Sequence, residues 1–549
     1  MNMFEVGHDI SKYSFIGGVE NKHDHRRLRI VYRFFVFWLC IFAARTLYLG
    51  IQGTDRTRNA GASGNWVVSR ADIVDRNGDI LAKNIVSGHI QIFPNKIKEK
   101  DKDRAANLIH QILPYQYSVS DALKLVNSGR GFMYLQKFAT ENQRKAVIDA
   151  RIEGLEVKQV QTRKYPKRRL FAHAVGFVSE DDQNNQRGQE GAERIYDAYL
   201  RENTAPLRLS LDSRIQSVFY EQLSAAMQKY QAKSAMGMLM NSRTGEMLAM
   251  VSLPDFDPEI RNNEINTNVK FRPMGDAYEM GSIFKIFNTA MAMENGITKE
   301  YYVKEPFKIY DKRGRVAKAV RDVRTFKPPR PYLSVEEIML HSCNVGSAQI
   351  ALDLPDGTQQ EFFHRLHFDE PLNLEFGRTA RTHLPQRWWP VERATMSYGH
   401  GISVTPMHVL LAVNAMTNGG IYIYPTMQKR DVGAVRGQRV LPPEISARLR
   451  GIMLRVAEET SGRKSRVAGI QIGGKTATAE KYTNGRVDNK RNLTAYAAIF
   501  PASAPQYVML VILDEPHGTS ESWGLRTAAW NVVPTTGKIL DSILPLLFE

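Results

Sequence analysis

Three short motifs hold the residues of this chain best suited to chemistry. Ser282 and Lys285 form a Ser-x-x-Lys, Ser342 and Asn344 a Ser-x-Asn, and Lys475-Thr476-Ala477 completes the set. A serine hydroxyl is a poor nucleophile at neutral pH and needs a base. Residues three apart on a helix share a face, which puts Lys285 one turn from Ser282. An ammonium cannot accept a proton, but a lysine in a dry pocket beside another cation can lose its charge and become that base. Lys475 is the expected neighbouring cation. Ser342 can relay a proton to a leaving amine, and Asn344 can hold a substrate amide. Gly281 lets the chain turn sharply into the helix and lets backbone approach a substrate. The chemistry such a set is suited to is nucleophilic attack by an activated serine.

Each motif is weak alone. A Ser-x-x-Lys arises by chance about once or twice in a chain this long. Taken singly, Ser282 reads as a helix cap, Ser342 as a helix-terminal polar residue and Lys475 as a solvated charge. Their order matters, and so do the elements that must carry them. Residues 236–240 and 247–251 read as a strand hairpin, and 495–500 and 507–513 as two further strands. Helices are expected over 284–294, 335–342 and 404–418. Strands at both ends with helices between predict an α+β domain beginning near residue 226. Upstream, Asp75-Arg76-Asn77-Gly78-Asp79 is a strong turn. Residues 104–113 and 121–126 read as helices. A strand over 206–210 leads into a helix with Ile215, Val218, Phe219 and Leu223 on one side, capped by Asp212.

The formal net charge is +17 over 549 residues. No zinc-finger spacing, aromatic-glycine RNA motif or basic heptad helix accompanies it, so nucleic acid is not the expected partner. The basic residues occur in short groups such as Lys164, Lys167, Arg168 and Arg169. Cys40 and Cys343 are too far apart in role to suggest a disulfide. His364 and His367 lack a clear ligand cluster, so no metal or other cofactor is expected. Residues 34–44 are apolar, and extending the run to 30–51 approaches the length of a membrane span. Lys22, Arg26, Arg27 and Arg29 precede it, which places the N-terminus in the cytoplasm and the remainder outside. A cleaved signal peptide near Ala43 and Ala44 and a buried core helix are the alternatives for this segment.

The wider motifs resemble one family. Tyr278-Glu-Met-Gly-Ser-Ile-Phe-Lys285, His341-Ser-Cys-Asn-Val-Gly346, Ser397-Tyr-Gly-His-Gly-Ile-Ser-Val-Thr-Pro406 and Gly473-Gly-Lys-Thr-Ala-Thr-Ala479 are similar to segments of class B penicillin-binding proteins. Residues 70–78 and 188–201 resemble that family's pedestal domain. The resemblance favours the division-type, septal member. It implies a cytoplasmic tail (1–29), a single transmembrane anchor (30–51), an elongated pedestal (52–225) and a transpeptidase domain (226–549) in the bacterial inner membrane, with the catalytic domain periplasmic. It implies a peptidoglycan D,D-transpeptidase that takes stem peptides as substrate and is inhibited by β-lactams. It further implies division membrane proteins, including a lipid-II glycan polymerase, as partners. The oxyanion hole would be the N–H groups of Ser282 and Thr478, with Thr476 also contacting substrate. A catalytically impaired scaffold of the same fold and a β-lactamase-type hydrolase are the alternative functions. Two departures stand out. Met280 replaces a proline, with little effect expected. Ala477 replaces a glycine, and its methyl is expected on the same face as Lys475, where it could obstruct the cleft.

Overall fold

The computed structural model describes residues 32–45, 69–181, 185–260, 267–323, 327–430, 433, 435–483 and 486–548. The expected tail, 1–29, lies outside these residues. Of the expected anchor, residues 32–45 form a helix with exposed apolar side chains, including Phe34, Phe37, Trp38 and Leu39, and the rest lies outside. Among the described residues no helix is long and apolar enough to cross a membrane. The chain divides into one unit up to Val67 and a second from Val68 to Glu549.

The second unit opens with a sheet of five strands, β1 (Ile73–Val74), β2 (Ile80–Ile92), β3 (Met133–Gln136), β4 (Leu155–Lys164) and β5 (Leu207–Arg208). The order is β3-β2-β1-β5, with β4 also paired to the long β2. Three helices cover one face: α1 (Lys102–Ile112), α2 (Val119–Val126) and α3 (Glu141–Ala150). Their apolar residues recur at three- and four-residue spacing, as Ala105, Ile109 and Ile112 do in α1, and meet Ile90, Ile92, Leu135 and Leu155. Ser118 caps α2 by accepting from the Asp121 N–H, and Thr140 and Gln143 form a capping box on α3.

One contact ties this sheet to the helix that follows it, and a buried ion-pair cluster holds the segment 188–201 to the sheet. Asp75 Oδ1 accepts from the N–H groups of Asn77 and Asp79, at 2.8 and 2.9 Å, which closes the expected turn. Its other oxygen accepts from Ser213 N at the start of α4 (Ser213–Lys229), 2.9 Å away. The segment 188–201 supplies Glu193, fully buried between Arg70 and Arg163, each 2.6 Å from a carboxylate oxygen. Removing one partner would leave an uncompensated buried charge.

The catalytic-type domain is built on a second five-stranded antiparallel sheet. Its strands are β6 (Ser234–Asn241), β7 (Met247–Leu253), β8 (Gly473–Thr483), β9 (Arg486–Phe500) and β10 (Tyr507–Asp514), in the order β8-β9-β10-β6-β7. Both faces are covered, so β10 is apolar from Val508 to Leu513. Val508, Leu510 and Ile512 face one core, and Met509, Val511 and Leu513 face the other. The second core holds α4 and the C-terminal α10 (Val532–Leu547). The first holds α5 (Phe284–Glu294), α8 (Pro406–Thr417) and α9 (Pro443–Glu459). The boundary expected near residue 225 therefore falls inside α4. Ile215, Phe219 and Leu223 of this helix pack with Ala235, Leu239 and Val251 of the second sheet. Asp212 caps it as expected, accepting from Arg214 N. The strand expected over 206–210 shortens to β5.

Candidate active site

Helix α5 is buried on every side, with Phe284 and Phe287 packed against Phe363 and Phe368. It cannot move without disturbing the core, so it is a rigid base for the residues at its N-terminal end. A 3-10 turn, Gly281–Ile283, leads into it. Gly281 has φ +48°, and a Cβ there would lie 3.3 Å from Thr478 O, so β8 runs directly alongside the turn. Gly399 packs against the other side. A Cβ on it would sit 2.1 Å from Gly281 O, and its φ is +83°. This is the physical reason for glycine in the segment 397–406. The same segment is fastened to the turn by Glu279, which accepts from Gly401 N at 2.9 Å and contacts His400 Nδ1 at 2.9 Å. Tyr278 and Val404 exchange two backbone hydrogen bonds.

Lys285 Nζ lies 2.7 Å from Ser282 Oγ, 2.7 Å from Asn344 Oδ1 and 3.4 Å from Ser342 Oγ. Lys475 Nζ lies 2.9 Å from that same Ser342 hydroxyl. The five residues chosen for chemistry thus form one network across α5, β8 and the link between two helices. Those helices are α6 (Val335–Leu340) and α7 (Asn344–Asp353). Expected as a single helix to residue 342, α6 stops two residues earlier. Ser342 then adopts φ +60°. A non-glycine residue in this region carries strain of about 1–3 kcal/mol, and here it aims the hydroxyl between the two lysines.

Both lysines are removed from water, at 1% and 0% exposure. Burial pushes the Lys285 pKa down from 10.5 to about 8, opposed by the negative charge of Asp322. Burial, and then the proximity of Lys285, pushes Lys475 well below its ordinary value. The expectation that a cationic Lys475 neutralises Lys285 is therefore revised. Desolvation is the first cause of the lowering of both amines.

Asp322 was missed in the sequence because it lies far from the three motifs. It follows a hairpin of exposed strands, Phe307–Tyr310 and Val316–Val320. Its carboxylate accepts from Asn344 N and from Cys343 Sγ, capping α7. Arg321 O accepts from Asn344 Nδ2 at 3.3 Å. Both ends of the Asn344 amide are thus engaged by protein groups, rather than left open for a substrate amide. The Cys343 thiol is buried and its pKa is pushed far up, so it serves packing rather than nucleophilic chemistry. Tyr398 places its ring 5.9 Å from Lys285 Nζ.

On β8, Thr476 Oγ1 bonds Ser461 Oγ at 2.8 Å, and Thr478 Oγ1 accepts from Ala528 N at 3.1 Å. Ala477 does face the same side as Lys475, but it is 1% exposed and belongs to the hydrophobic core. Its methyl packs in that core on the face from which Lys475 reaches Ser342. Met280 is likewise fully buried in that core. His364 and His367 turn to different carboxylates, Asp369 and Glu370.

Comparison with known proteins agrees with this geometry. Residues 235–533 match the penicillin binding protein transpeptidase domain, and residues 66–216 match the penicillin-binding protein dimerisation domain. The chain is 29% identical to the probable peptidoglycan D,D-transpeptidase FtsI of Caulobacter vibrioides, covering 95% of this chain and 89% of that protein. It is 27% identical to the peptidoglycan D,D-transpeptidase FtsI of Escherichia coli K12, covering 87% and 83%. The crystal structure of penicillin binding protein 2X from Streptococcus thermophilus shares the fold, with TM-score 0.71, 20% identity and coverage of 87% and 80%. With a transpeptidase-domain match over more than half its length, the chain belongs to the penicillin-binding protein transpeptidase family.

Proposed function

We propose that this protein is a septal peptidoglycan D,D-transpeptidase that crosslinks stem peptides through an acyl-enzyme on Ser282. The observation that carries the reading is the 2.7 Å contact between Ser282 Oγ and a Lys285 amine whose pKa burial lowers to about 8. Neutral Lys285 takes the Ser282 proton as Oγ attacks the carbonyl of the donor D-alanyl-D-alanine bond. The developing oxyanion is held by the N–H groups of Ser282 and Thr478, worth several kcal/mol together. Ser342, between the two lysines, passes the proton to the departing D-alanine amine. The acyl group then goes to an amine of a neighbouring stem peptide, and the same relay runs in reverse. Lys475 and Thr476 face the substrate from β8. Asn344 holds Lys285 in the free enzyme and releases its amide to a bound peptide. β-Lactams acylate Ser282 and stop the cycle.

The FtsI names of the relatives support the division role. The apolar run at 34–44 after a basic cluster supports an inner-membrane anchor with a periplasmic catalytic domain, and division membrane proteins as partners. The test is mass spectrometry after incubation with benzylpenicillin. One intact drug should add to Ser282, and Ser282→Ala should add none. An adduct on another serine, or none on folded wild type, refutes the proposal. Acylation without crosslinking in a peptide assay would favour the scaffold alternative.

A further inference from the structure

The first sheet packs one face on α1–α3, but its other face carries a chain of aromatic rings. Phe93 and Phe132 have centroids 5.4 Å apart, and Phe132 and Tyr134 4.9 Å. His89 then lies 5.5 Å from Tyr134 and 4.7 Å from Phe138. The register puts them on one side, since Gln91 is opposite Tyr134 and His89 is opposite Lys158. Phe132 and Phe138 are 47% and 43% exposed. Large rings gathered on an open face mark an interaction site rather than core.

His89, Tyr134 and Phe138 border a cavity of about 320 Å³, which Val178, Pro258 and Glu259 also line. Two lysines, Lys137 and Lys158, line it. Among the described residues neither is in an ion pair, whereas nearby Lys164 and Arg163 are held by Glu259 and Glu193. Lys137 Nζ stands 5.1 Å above the Tyr134 ring. His89 Nδ1 accepts from Phe138 N at 3.0 Å, so the neutral ring carries its proton on Nε2 as a donor. Burial and the two lysines lower the His89 pKa, which keeps the ring neutral.

We propose that this face binds the glycan strand of the cell wall, with sugar rings stacking on Phe132, Tyr134 and Phe138 and sugar hydroxyls and acetamido carbonyls accepting from Lys137 and Lys158. The proposal rests on the transpeptidase reading, which makes that polymer the substrate's carrier. Two features favour a glycan over a polyphosphate. Glu180, Asp181 and Glu259 share the cavity wall, which repels phosphates but accepts sugar hydroxyls and acetamido N–H groups. The His89 contacts with its neighbouring rings are edge-to-face, which offers single ring faces rather than a parallel slot for bases. A grip on the strand outside the catalytic network would raise the local concentration of the peptides it carries.

The test uses the full-length chain in detergent, titrated by calorimetry with soluble, uncharged N-acetylated amino-sugar oligomers. Saturable binding is expected, weakened at least tenfold by the double variant Phe132→Ala, Tyr134→Ala. The surface variant Lys158→Gln, which removes no packed ring, should weaken it severalfold. Both should acylate with benzylpenicillin at the wild-type rate. No saturable binding at millimolar oligomer overturns the proposal. So does equal binding by the variants, or equally effective competition by an acidic peptide or a DNA oligomer at the same concentration. Failure of wild-type Ser282 to acylate would strike the transpeptidase reading, while the titration decides this site independently.

Discussion

Asp322→Asn separates the electrostatics of the site from its architecture. The carboxylate caps α7 through Asn344 N and accepts from the Cys343 thiol. Asparagine keeps one carbonyl oxygen for the backbone N–H but presents an amide to the sulfur. The fold loses one weak hydrogen bond and a negative charge at a helix N-terminus, the latter worth about 0.3–1 kcal/mol. With the charge-assisted part of the cap also gone, the total is about 1–2 kcal/mol. The melting temperature should fall by a few degrees. The kinetic effect has a definite sign. Asp322 raises the Lys285 pKa against burial. Removing its charge lowers that pKa below about 8, so neutral base appears at lower pH. The rising limb of the acylation rate should shift toward acid. The assay is the second-order acylation rate with one β-lactam from pH 6 to 10, for both forms. A limb that stays put or moves toward alkali while the protein melts lower would show that Asp322 is only a cap.

In wild type, acylation should rise with pH through about 8 and then level, because the base is the neutral form of a lysine whose pKa is lowered; a limb near 10.5, the ordinary lysine value, would refute desolvation as its cause. Gly399→Ala should slow acylation by about a hundredfold, since a Cβ 2.1 Å from Gly281 O must displace the nucleophile turn; an unchanged rate would show that the segment 397–406 does not set that turn. Ala477→Gly removes a buried methyl and adds backbone freedom, a loss of about 1–2 kcal/mol in denaturant titration. It should not speed acylation by bulky β-lactams, because the methyl lies in the core; a faster glycine form would place it on the cleft wall.

The sequence by itself determined the helix α5 with its bounds and the strands β6, β7 and β10, and it picked out the five residues that the fold joins in one network. These signals are local. A three-residue spacing fixes a shared helix face, and an apolar run between turns fixes a buried strand. The capping role of Asp212 was equally legible, because a cap acts on the residues beside it. Tertiary structure decided what depends on residues far apart in the chain. Residue 225 read as a boundary because texture changes there, but helix α4 packs on strands that come later. Ala477 was rightly assigned to the face of Lys475, yet alternation along a strand does not say whether that face meets solvent or core. The state of Lys475 depends on burial, which spacing cannot report. Asp322 enters the site only because a hairpin folds it onto α7, a contact 22 residues along the chain. Gly399 belongs to the site because its bare backbone meets Gly281, and only the folded chain brings those two glycines together.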